Sequence, residues 1–349
     1  MAGGCHNYTD SDFNIIFTTK LVVSSLATVT CIAATLLILC AKAYKRFVYR
    51  LVLYFMIAVM FQAISLILEQ TPIIHNKPDS QVEVRNGWDV PCSIFAFLDQ
   101  IALWIGNFVV LWIFLYLLHL VWNLYHLKLV QQSQKISKGE IIALFAIFIL
   151  PLTFNWIPFA TNMYGLSGLW CWIKETENGC TSDPTIGLVL IFTLFYGPLM
   201  FLMVFGFASL LVIVVALCKR WKSVQGLVRQ RYTKGIKEIV FVMMYPILYN
   251  LICIFLVVNR INSAIRSSRG EPPFYPLWLA HALADSFRTL LPPLAFLLHP
   301  STWGNLMCVK KREEDEDTEY FYVPPEDSDI GEGITIRGTK QIEYGSVLL

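Results

Sequence analysis

Residues 92–122 read CSIFAFLDQIALWIGNFVVLWIFLYLLHLVW, thirty-one positions with Asp99 as the one Asp, Glu, Lys or Arg among them. The apolar positions run on without the strict alternation that a half-buried strand needs. As a helix the stretch is about 46 Å long, more than the roughly 30 Å of a bilayer's hydrocarbon core.

Six further runs share the pattern, at 21–41, 49–68, 141–161, 185–217, 238–258 and 276–299. The whole chain is 56% hydrophobic and 15% charged, with a mean hydropathy of +0.57. That is more apolar than a soluble core requires. Helices satisfy every backbone group internally, so a helical bundle is the structure that such runs can form in lipid. The first run is too long for a cleaved signal peptide and follows acidic, polar sequence in place of a basic segment. The expected fold is therefore an all-α membrane protein, a seven-transmembrane helix bundle. The expected parts are a short extracellular N-terminus (1–20), the bundle (21–299), a short juxtamembrane helix (300–312) and a disordered acidic cytoplasmic tail (313–349).

Orientation follows from Lys and Arg near the helix ends. The loops at 42–50, 123–140 and 218–237 with the start of the tail hold 17 of them, against 7 on the opposite side, Lys20 included. This places the N-terminus outside. Asn7-Tyr8-Thr9 is then an external glycosylation sequon. Cys5, Cys92, Cys171 and Cys180 face an oxidising compartment. Compartment and topology favour Cys92 with Cys171, a staple between the third helix and a loop, and leave Cys5 with Cys180 as a second pair.

Charges inside apolar helices are costly and mark function or internal pairing. His281, Asp285 and Arg288 are spaced four and then three, so they share one face of the seventh helix. Asp99, Gln100, Trp104 and Asn107 lie in the outer half of the third. Glu69 and Gln70 end the second, Tyr196 lies in the fifth and Asn250 in the sixth. The expected ligand-pocket residues are Asp99, Trp104, Asn107, Tyr196, His281, Asp285 and Arg288, around an outward-facing cavity. Pro198 and Pro246 interrupt helices that flank the most basic inner loop and are hinge candidates. Cys308 beside Lys310, Lys311 and Arg312 is a palmitoylation candidate. Beyond it, the acidic block Glu313–Asp317 begins a tail too polar to fold, a candidate for adaptor binding.

Several chemistries are set aside. No His-Glu-x-x-His, Walker loop or Gly-x-Ser-x-Gly is present, so no catalytic residue, cofactor, metal or nucleic-acid partner is expected. The seventh helix has no lysine for a retinal Schiff base.

Four segments carry a resemblance: Cys92; Trp170-Cys171-Trp172-Ile173; Phe195-Tyr196-Gly197-Pro198; and Val257-Val258-Asn259-Arg260-Ile261. On these the chain resembles seven-transmembrane G-protein-coupled receptors of the slime-mould cyclic-AMP receptor group and related orphan animal receptors, over about residues 20–305. Where rhodopsin-like receptors carry Asp-Arg-Tyr this chain has His119-Leu120-Val121-Trp122, and where they carry Asn-Pro-x-x-Tyr it has Leu298-His299-Pro300. The resemblance implies an extracellular ligand and a heterotrimeric G protein as partners, in a plasma membrane or a ciliary or other specialised one. It also implies that Lys219, Arg220, Lys222, Arg229, Arg231, Lys234 and Lys237 face the G protein. Membrane-buried Asp and Arg in broken helices also suit a transporter or channel, and a non-signalling scaffold acting through its tail is a third reading.

Overall fold

The computed structural model describes residues 10–70, 89–125, 136–167, 170–174, 185–223, 226–269 and 274–299. Seven long helices follow one another: α1 (Asp10–Cys40), α2 (Phe47–Leu68), α3 (Asp89–Tyr125), α4 (Lys138–Phe154), α5, α6 (Gly226–Ser268) and α7 (Tyr275–Leu298). α5 has three segments, Thr185–Ile191, a π-helical turn Phe192–Tyr196, and Gly197–Ser223. Between α4 and α5 the outer loop forms an antiparallel hairpin, β1 (Tyr164–Ser167) and β2 (Trp170–Ile173), with Leu166 opposite Cys171. This hairpin is the one departure from an all-helical reading among the described residues.

Six helices, α1 to α6, are long and apolar enough to cross a membrane. α7 spans 24 residues, long enough to cross. It is less apolar because His281, Asp285 and Arg288 lie on it. It closes the ring by packing on α1 and α6. α3 is the axis of the molecule and touches α2, α4, α5, α6 and both strands. Burial reflects this: 61% and 67% of the apolar windows of α2 and α3 are enclosed, against 28% and 22% for α1 and α4. The outer helices turn large side chains outward, Phe145, Phe201, Val204 and Leu211 among them. Such a surface suits lipid, where apolar contact carries no hydration penalty.

Four boundaries differ from the sequence reading. α1 begins at Asp10, so Lys20 is no flanking charge: it lies inside the bundle, 3% exposed. α4 stops at Phe154, where the Asn155 backbone and side-chain N–H groups both donate to the Pro151 carbonyl (3.2 and 2.8 Å) and a fresh turn, Ile157–Ala160, starts around Pro158. α5 carries a π turn that no periodicity announced. Gly197 ends it, where an added Cβ would sit 2.8 Å from the Phe192 carbonyl oxygen. Finally, the basic 218–237 segment is largely helical, the end of α5 and the start of α6. α6 starts about 20 Å, thirteen residues at 1.5 Å each, before its membrane-spanning part begins at Ile239.

At the end of the bundle away from the hairpin a buried clamp ties α2 to α4. Arg50 donates from Nε and Nη2 to the two Glu140 carboxylate oxygens (2.8 and 3.0 Å), and Tyr54 donates to Oε1 (2.7 Å). Arg50 Nη1 also holds the Tyr44 and Lys45 carbonyls, so the first inner loop is pinned as well. Ser137 caps α4 by accepting from the Glu140 amide (3.1 Å), as Ser/Thr-x-x-Glu starts do.

Candidate functional site

The hairpin is fastened over the outer end of the bundle by bonds of unlike kind. Cys171 is joined to Cys92 of α3, with Cα atoms 5.2 Å apart. Trp172 Nε1 donates to Gln100 Oε1 of α3 (2.7 Å), and Ser93 Oγ donates to the Tyr164 carbonyl (3.0 Å). Burial holds the Tyr164 phenol well above its usual range, so it stays a neutral donor to the Asn155 carbonyl (3.0 Å). Toward α7 the contacts are face to face: Trp170 stacks on Trp278 (4.5 Å) and on His281 (5.2 Å, 5° between planes).

Beneath this roof lies a cavity of about 30 Å³, lined by Lys20, Glu69, Asp99, Tyr196, His281, Asp285 and Arg288 together with Trp170 and Trp172. Its charges are paired across helices. Lys20 of α1 donates to Glu69 at the end of α2 and lies 3.8 Å from Asp285 of α7. Arg288 donates to Asp285, one turn away (2.5 Å). Asp99 accepts from Ser65 of α2 (2.8 Å). Three cations also lie on aromatic faces, Lys20 over Trp170 (5.1 Å), Arg260 over Trp172 (5.3 Å) and Arg288 over Tyr249 (5.5 Å). Four helices thus meet through charged groups, an arrangement that holds only while every charge keeps a partner.

The expected pocket residues divide. Asp99, Tyr196, His281, Asp285 and Arg288 line the cavity, as does Glu69. Asn107 sits deeper, accepting from Tyr249 Oη of α6 (2.9 Å). Trp104 lies elsewhere, edge-on to Phe154 of α4 (5.1 Å) and against Phe108 (5.3 Å). Lys20, Trp278 and the Arg50–Glu140 clamp were missed. Only the clamp had a local signal, the Ser137-x-x-Glu140 cap, and that signal says nothing of Arg50.

The sequence matches the profile of the slime mold cyclic AMP receptor over residues 9–279. The chain belongs to the slime mold cyclic AMP receptor family. A comparison with curated proteins finds no match. Among solved structures, squid rhodopsin superposes with a TM-score of 0.59 at 13% identity, covering 97% of this chain and 95% of that one. This chain and the opsin therefore share a fold, and the Cys92–Cys171 staple expected from compartment and topology is present in it.

In this cyclic AMP receptor family member the inner face is less fully described. Lys219 is exposed near the end of α5. Arg220 and Lys222 on α5 and Arg229, Arg231, Lys234 and Lys237 on α6 have helical backbones, but their side chains lie outside the described residues. Pro246 is embedded within the unbroken α6, and Pro198 follows directly on the π turn of α5. Asn7, Cys5, Cys180, Cys308 and the acidic tail also lie outside the described residues.

Proposed function

We propose that the chain is a receptor that takes a small polar extracellular ligand into the cavity beneath the hairpin and activates a heterotrimeric G protein through the inner ends of α5 and α6. The observation that carries this is the junction of α1, α2 and α7 through ion pairs, with α3 joined by the Ser65–Asp99 hydrogen bond, under a tethered roof. A ligand that exchanges partners with one pair changes the forces between four helices at once. Receptor action needs no more than a two-state bundle whose active form the ligand prefers.

The pairing also speaks to ligand class. Lys20 and Arg288 are already held by carboxylates, so an anion that takes either one strands a buried Glu or Asp, and a cation strands the base. A small zwitterion exchanges both signs together and fits best. Cyclic AMP, which the family's name assigns to the slime mold receptor, carries no such balance.

G-protein nucleotide exchange tests the reading, measured first without ligand against a panel of heterotrimers and then with Lys20→Met and Asp285→Asn at equal surface expression. Exchange above receptor-free membranes that both substitutions alter is the expected result. Silence with every heterotrimer, together with solute flux in proteoliposomes, would replace the receptor by a transporter. For the ligand contact, Arg288→Ala should lose affinity for any ligand that the panel then identifies.

A further inference from the structure

At the end of the bundle away from the hairpin, one guanidinium joins the loop between α1 and α2 to the start of α4. Arg50 holds the Tyr44 and Lys45 carbonyls from Nη1 (3.3 and 3.0 Å) and the Glu140 carboxylate from Nε and Nη2. The loop is itself a tight turn. Lys42 takes a left-handed backbone (φ 50°), uncommon for a residue other than glycine, and a 3₁₀ turn, Ala43–Lys45, follows it. Ala43 is buried, whereas Lys42, Tyr44 and Lys45 are exposed and Arg46 is half-buried. Lys138 is exposed two residues before Glu140. Bases from two elements far apart in sequence are thus gathered around one buried clamp.

No acid on these elements is left to neutralise them. Between Lys20 and Glu69 the sequence has no Asp or Glu, and between Asp99 and Glu175 it has Glu140 alone. Glu140 is 2% exposed and paired with Arg50. The patch also borders the apolar belt. Ile141, Ile142 and Phe145 on the first turns of α4, and Leu36 and Leu39 near the end of α1, turn outward. Tyr44, with an apolar ring and a polar tip, suits the boundary between lipid and water.

We propose that this patch binds the multiply phosphorylated headgroup of an anionic lipid, a phosphoinositide. Several lysines around one place match a headgroup of several charges better than the single net charge of phosphatidylserine. The outward apolar side chains alongside take the acyl chains, so the lipid is the ligand and a free inositol phosphate is not. Basic residues are common at the inner ends of membrane helices. This patch differs in that a buried acid, through Arg50, holds its two halves together. The site is separate from the ion-paired cavity and does not depend on the receptor reading.

The test uses the full chain purified in detergent. Binding of short-chain phosphatidylinositol bisphosphate is measured by native mass spectrometry against phosphatidylserine and against soluble inositol trisphosphate. The bisphosphate lipid should bind ahead of both. Lys45→Gln and Lys138→Gln should each weaken it about fivefold, and Lys219→Gln, a change at a base of α5 outside the clamp, should not. Glu140→Gln discriminates most sharply. It removes a negative charge, so a surface acting by charge alone would bind more tightly, whereas loss of the clamp frees the loop from α4 and should weaken binding. Tighter or unchanged binding in Glu140→Gln, equal losses at all three lysines, or equal binding of phosphatidylserine or of the soluble headgroup would each overturn the proposal. Should Glu140→Gln fail to fold, the three lysine substitutions still decide.

Discussion

Glu140 and Arg50 stand ninety residues apart in sequence and are almost completely buried together. Removing one member of such a pair leaves the other charged in a low-dielectric site, a loss of about 3–5 kcal/mol. Arg50→Met should therefore lower thermal stability in detergent by that amount, while Tyr54→Phe should lower it by about 1 kcal/mol; equal effects would mean that the hydrogen bond and the charge are not separable. Residues of this kind also mark what a sequence can disclose. His281, Asp285 and Arg288 were legible because helical spacing alone puts them on one face. Lys20 was not, since it precedes the apolar run and looks like a flanking charge until α1 is seen to start at Asp10. Trp104 is apolar in type and polar at one atom, and nothing in its neighbours in sequence tells that it packs against Phe108 and Phe154 in place of lining the cavity.

Among the elements, the hairpin depends most on a covalent tie. Cys171→Ser removes the anchor to α3, with an expected destabilisation of about 2–4 kcal/mol, and should abolish surface ligand binding before it abolishes folding; thermal unfolding and cell-surface labelling measured side by side would separate the two. The second element is α6, which runs unbroken through Pro246 and is tied to α3 by the Tyr249–Asn107 bond (2.9 Å) one turn outward. If its inner half swings about Pro246, Pro246→Ala changes basal G-protein exchange at equal expression; unchanged basal and stimulated exchange would remove the hinge. Element existence was plain from the apolar runs, since each is long enough to span. The π turn and the hairpin were not, because both arise from backbone hydrogen bonds that leave no period in the residues.

At the scale of the whole molecule, a deletion asks whether the bundle and the tail carry separate roles. Deleting residues 310–349 should leave G-protein exchange and heat stability unchanged if the helices do the signalling; lost function with silent exchange would favour the scaffold reading. An N-terminal epitope should be labelled on intact cells and a C-terminal one only after permeabilisation, the direct check on an orientation drawn from 17 against 7 basic residues.

The roof is covalently joined along α3 and merely stacked against α7, so it is a trapdoor with its hinge on one side and its latch on the other. A space of about 30 Å³ is small, and if the Trp170 latch is the way in, a ligand waits for it to lift from Trp278 and His281. Arrival and departure then share one gate. Association should be far slower than diffusion and steeply dependent on temperature, and a compound that wedges the latch shut from outside would slow an occupant's escape as much as a newcomer's arrival.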